Sequence, residues 1–137
     1  MSPKLPSLLP LAIVAVFGLL QFLALALLWG HLGQLSPVSR WLMDNLTGTA
    51  WFYPLLWLHD LLINVLLCLP LVLLIRRISD RHSVPLLVAA VVPAFVYFNW
   101  PLLGSGIAVT FWHLAGWVST LVMVPLAFLL MARFRQR

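Results

Sequence analysis

The sequence predicts an all-α membrane protein: four transmembrane helices, with a short amphipathic interfacial helix in the first outer loop. Three observations lead there. Of the 137 residues, 64% are hydrophobic and 8% charged, whereas a soluble domain carries about 25% charged residues. No soluble fold of this length has room inside for so many leucines, so the excess faces lipid. Four apolar runs are each long enough to cross a ~30 Å hydrocarbon core at ~1.5 Å per residue. The basic residues, finally, gather on one side of those runs. The whole chain, 1–137, reads as a single transmembrane domain.

The first run spans 8–30. The opening MSPKLPSLLPLAIVAVFGLLQFLALALLWG resembles a secretion signal only superficially. Its apolar stretch exceeds the roughly 7–15 residues of a signal's hydrophobic region, and no small-x-small site closes it. The expectation is a retained first helix. A more polar stretch follows at 31–50. Within SPVSRWLMDNLTG, Ser36 suits a helix cap, Pro37 its first turn and Gly48 its end. Val38, Trp41, Leu42 and Leu46 then share one face, as expected of a helix lying on the membrane surface.

The second run spans 51–75 and ends at the charged RRISDRHS. The third spans 84–104 and the fourth 108–132, joined by LLGSGIA, where Gly104 and Gly106 suit a tight reversal. Pro70, Pro93 and Pro125 predict bends. Ala90 and Ala94 form a small-xxx-small pair that lets another helix approach closely. The lone Cys68 excludes an intrachain disulfide and reads as a small apolar filler.

Charge sets the expected orientation. Lys4, Arg76, Arg77, Arg81, Arg133, Arg135 and Arg137 fall on one side and Arg40 on the other. The positive-inside rule then places both termini in the cytoplasm of a bacterial inner membrane. The net charge of +5 thus reads as an anchor facing membrane lipid rather than a nucleic-acid surface.

The chemistry lies in the polar residues at membrane depth. Counting from the cytoplasmic ends, Asn64 lies about 18 Å up, Gln21 about 20 Å, Asp60 and Asn99 about 24 Å, His59 about 26 Å and His113 about 30 Å. All four helices therefore place a polar group in the outer half of the bilayer, and the inner half is almost purely apolar. On the second run, Tyr53, Trp57, Asp60 and Asn64 share a stripe; on the fourth, Thr110, His113, Trp117 and Thr120 do. These stripes are expected to face each other, pairing Asp60 with His113. His59, about 100° round the helix from Asp60, is expected to point elsewhere.

Three function classes compete. A non-catalytic subunit or assembly partner of a larger membrane complex fits the small size and the scarce intramembrane charge. An oligomeric, proton-linked small transporter or channel would use Asp60 and His113, with Asn64, Asn99 and Gln21 lining its polar layer. A subunit binding haem b or quinone would use His59 and His113 as axial ligands. The expected partners are other membrane subunits or further copies of the chain. No metal-ligand spacing, phosphate loop or nucleophile motif is present.

Overall fold

A computed structural model describes residues 8–78 and 83–134. These residues form helices only: α1 (Leu8–Leu35), α2 (Pro37–Leu46), α3 (Phe52–Leu67), α4 (Leu69–Ile78), α5 (Ser83–Gly104) and α6 (Phe111–Phe134). Lys4, Arg81, Arg135 and Arg137, used above to orient the chain, lie outside the described residues.

α1, α5 and α6 are each long and apolar enough to cross a membrane. α3 and α4 make a fourth crossing if they act as one bent span. The second run is therefore not one helix over 51–75. It bends by 41° between α3 and α4, at Cys68. Pro70 is the cause: it has no N–H for the carbonyl of Leu66, and its ring crowds that carbonyl. Hydrogen bonds still cross the bend, from Cys68 N–H to Asn64 O at 3.0 Å and from Val72 N–H to Cys68 O at 3.1 Å. α5 runs unbroken through Pro93 and Pro101, and α6 through Pro125.

α2 forms where the turn chemistry places it. Ser36 caps it, accepting from Ser39 N–H at 3.4 Å, and Pro37 fills its first turn. Gly48 follows with φ +86°, a left-handed conformation that glycine adopts without strain. The face docked on the protein carries Ser39 and Leu42; Val38 and Trp41 remain exposed. The reversal after α5 likewise uses a glycine, Gly106 at φ +67°.

The core is apolar and lies toward the end of the bundle that carries Arg76, Arg77 and Arg133. α1 contributes Val14, Phe22 and Leu25; α4 contributes Leu71, Val72 and Ile75; α5 contributes Leu86, Ala90, Val91 and Ala94; α6 contributes Met123, Val124 and Ala127. Cys68 is buried among them. α1 packs most extensively on α5. Gly18 makes this possible, since its Cα lies against the Ala90 backbone with no room for a side chain. The rest of each long helix exposes large apolar side chains, among them Phe17, Leu20, Leu66, Val88 and Leu129. A helix that is apolar all round needs lipid or protein around it.

Candidate functional site

Most of the polar side chains fall into three small networks, with His113 and Gln21 serving elsewhere. The first joins α2 to α3. The Ser36 hydroxyl lies 3.0 Å from His59 Nε2, and the His59 Nδ1 lies 3.0 Å from Asp60 Oδ1. Ser39 Oγ sits 3.5 Å from the same Nδ1. With Nδ1–H donated to the carboxylate, Nε2 becomes the acceptor for the Ser36 O–H. The His59 side chain is 13% exposed and the Asp60 side chain 36%, so the ring is largely covered and the acid is half-buried.

This corrects two expectations. His59 does not point away from Asp60; the two neighbours are in contact. The serines of α2 hold the imidazole on the side where the short carboxylate can reach it. Asp60 is also not paired with His113: its ion-pair partner is His59.

His113 has a different position altogether. Its Nδ1 accepts from Thr110 N–H at 3.0 Å and lies 2.9 Å from Thr110 Oγ1. Thr110 immediately precedes α6, and His113 is the third residue of that helix. A side chain at that position reaching back to the cap N–H reproduces a capping box, with imidazole in place of the usual Glu or Gln. His113 thus fastens the start of α6.

The second network ties α3 to α6. Trp57 Nε1–H donates to Ser119 Oγ at 2.7 Å, and the Ser119 hydroxyl donates to Ala115 O at 3.0 Å. Tyr53 packs on Trp112 with ring centroids 4.9 Å apart. The stripe of α6 that meets α3 is therefore Trp112, Ala115 and Ser119, about a residue round from the Thr110, His113, Trp117 and Thr120 stripe expected. The small Ala115 and the hydroxyl of Ser119 supply what the Trp57 indole requires, space and an acceptor.

The third network ties α5 to α6. Trp117 Nε1–H donates to Asn99 Oδ1 at 2.6 Å, and Asn99 Nδ2 donates to Phe95 O at 2.7 Å. Phe95 and Trp117 meet edge to face at 6.0 Å. Gln21 serves the bend instead: its Nε2 donates to Leu67 O at 2.8 Å. Asn64 sits half-buried below Asp60 and receives the Cys68 N–H on its backbone carbonyl.

Both ring nitrogens of His59 are engaged, by Ser36 and Asp60, and Nδ1 of His113 is engaged by Thr110. Among the described residues, no group of three or more His, Cys, Asp or Glu could hold a metal ion. Beside the second network, Pro54, Trp57, Phe111, Trp112, Leu114 and Val118 line an open apolar groove of about 410 Å³ between α3 and α6.

Ser36, Ser39 and Ser119 are the partners that sequence patterns do not disclose. Ser36 is visible as a helix cap, but the histidine it meets lies 23 residues away. The described residues form helices joined by short connections, and three of these helices, or four spans if α3 and α4 act as one, are long and apolar enough to cross a membrane, which marks an integral membrane protein. Comparison with protein families, curated proteins and solved structures finds no match.

Proposed function

We propose that the protein is a subunit or assembly partner of a larger membrane complex, held in a bacterial inner membrane with both termini in the cytoplasm. One observation carries this reading: the polar layer is used inside the fold. Gln21 serves a backbone carbonyl at a bend, Asn99 a tryptophan, and His113 a helix start. Polar groups inside membranes are costly unless satisfied, and joining helices is a common use for them. Between this layer and the arginines, the interior is a packed apolar core of Val65, Val72, Ile75, Leu86 and Val124. That packing favours a building block over a conduit. What α3 and α6 offer outward is the apolar groove at Trp57, Trp112 and Leu114.

The transporter reading needs Asp60 and His113 to act together, and Asp60 bonds His59 within α3 while His113 bonds Thr110 at the start of α6. It keeps a clear test. The purified chain in proteoliposomes is expected to drive no flux dependent on a proton gradient. Flux that disappears in Asp60→Asn would overturn the subunit reading. A photoreactive amino acid at Leu114 should give a discrete cross-link to a membrane partner in native membranes, whereas one at Leu129 should give none. Equal, diffuse products from both sites would count against a docking face. Labelling of single cysteines at Arg40 and Arg77 from each side of the membrane tests the orientation.

A further inference from the structure

We propose that Ser36, His59 and Asp60 form an acyl-transfer relay acting on oxygen esters carried by lipids. The inference goes beyond the subunit reading, replacing the inertness expected of such a subunit with a definite chemistry. It leaves the question of a partner untouched.

The connectivity is the starting point. A serine hydroxyl lies 3.0 Å from Nε2 of a histidine whose Nδ1 lies 3.0 Å from a carboxylate oxygen. Nucleophile, base and orienting acid stand in the order that acyl transfer requires, and this arrangement is recognised by geometry and not by sequence position. Three different parts of the chain contribute to it: the residue before α2, the middle of α3 and the cover of α2 itself. Ser36 is half-buried rather than sealed in, so a substrate can reach it.

The local backbone assists. Ser36 stands at the N-terminus of the ten-residue α2, and Ser39 N–H already points at its Oγ from 3.4 Å. That donor and the positive end of the helix favour a developing alkoxide. Pro37 has no N–H, and Arg40 N–H is taken by Ser36 O at 3.1 Å. The N–H of Val38, which has no acceptor within the helix, is the donor for the oxyanion.

The chemistry balances without any further reagent but water. Ser36 Oγ bonds to the acyl carbon while its proton passes to His59 Nε2. Asp60 holds the resulting imidazolium through Nδ1–H. The carbon–oxygen bond to the alcohol breaks as His59 returns the proton to the leaving oxygen. Water, giving its proton to the same Nε2, then attacks acyl-Ser36. The proton returns to Ser36 Oγ, and a carboxylic acid leaves.

The substrate class follows from position. α2 is amphipathic, and its Val38 and Trp41 are exposed. An interfacial helix of this kind rests at the boundary between headgroups and acyl chains. The ester linkages of glycerolipids occupy that boundary.

The test uses the full chain in phospholipid nanodiscs with a fluorophosphonate probe, which marks activated serines. Mass spectrometry is expected to place the adduct on Ser36. Labelling should vanish in Ser36→Ala, fall by about 10²–10⁴-fold in His59→Gln, as loss of a general base predicts, and persist in Ser105→Ala. Asp60→Asn should lower the labelling rate and change its pH profile. A melting curve on every variant separates lost chemistry from lost folding. No adduct on Ser36 in folded wild-type protein overturns the relay, and so does undiminished labelling in folded His59→Gln. Fatty acid released from vesicle phospholipid supports the lipid ester. Turnover of p-nitrophenyl butyrate with no such release refutes that part. Neither result bears on cross-linking at Leu114, so the two proposals can fail separately.

Discussion

Gly18→Ala makes the sharpest demand on the fold. A Cβ at Gly18 would lie 2.1 Å from the Ala90 carbonyl oxygen, 2.8 Å from its carbonyl carbon and 2.9 Å from its Cα. All three are backbone atoms, so no change of rotamer relieves them. Heavy atoms prefer about 3.5 Å, and α1 must therefore retreat from α5 by more than about 1 Å. Such a retreat loosens Val14, Phe22 and Leu25 against Leu86, Val91 and Ala94. A gap of roughly 0.5–1 Å forfeits a quarter to a half of the dispersion well. Overpacking costs about 1–3 kcal/mol, and a backbone clash belongs at the upper end. The better helix propensity of alanine returns about 1 kcal/mol, leaving a net loss of about 2 kcal/mol. The fold contains its own control. A Cβ at Gly116, also helical, meets nothing within 4 Å, so Gly116→Ala should be neutral or slightly stabilising. Unfolding by SDS titration in mixed micelles, followed by tryptophan fluorescence, measures both. Equal stability of Gly18→Ala and Gly116→Ala would refute the close α1–α5 contact.

Four further outcomes are expected. Gln21→Leu strands the Leu67 carbonyl and should cost about 1–3 kcal/mol in the same titration. A double-mutant cycle of Asn99→Leu and Trp117→Phe should give a coupling near 0.6 and not above about 1.7 kcal/mol; zero coupling would dissolve the third network. Pro70→Ala should straighten the α3–α4 bend, read as a lengthened distance between spin labels at Leu58 and Leu73; an unchanged distance would locate the cause of the bend elsewhere. Arg76 donates to Phe128 O at 3.1 Å and stacks 4.7 Å from the Phe128 ring. Arg76→Lys cannot reproduce that fork and should lower the melting temperature, with a loss of about 1 kcal/mol.

The apolar runs were legible because facing lipid is a local property, written in each segment's own composition. α2 was legible for the same reason: its cap, proline and glycine all lie in the one short stretch from Ser36 to Gly48. Of the pair Ala90 and Ala94, both fully buried on α5, Ala90 is where α1 approaches closely. Their opposite number, Gly18, carries no local signal beyond being a glycine in an apolar helix. The bend at Cys68 was half legible. Pro70 predicts it, but a smooth hydrophobic run concealed how sharply the helix divides. Least legible was which face of each helix meets which neighbour. One residue's rotation separates the stripe holding Trp112 and Ser119 from the one holding His113. The choice depends on what a distant tryptophan needs, and no window of α6 alone contains that. His59 failed the same way, because its direction is decided by serines on another helix.

The bond between Gln21 and Leu67 O bears on how the chain is made. Its two partners are 46 residues apart. At about 5–20 residues per second, a ribosome needs roughly 2–9 s to cover that separation. During this interval the first span sits in the translocon or bilayer with an amide that has nothing to hold. The bent segment, once released, brings the carbonyl that fits it. The order of synthesis therefore gives Gln21 a waiting period, and an insertase that shields polar surface would be most needed then.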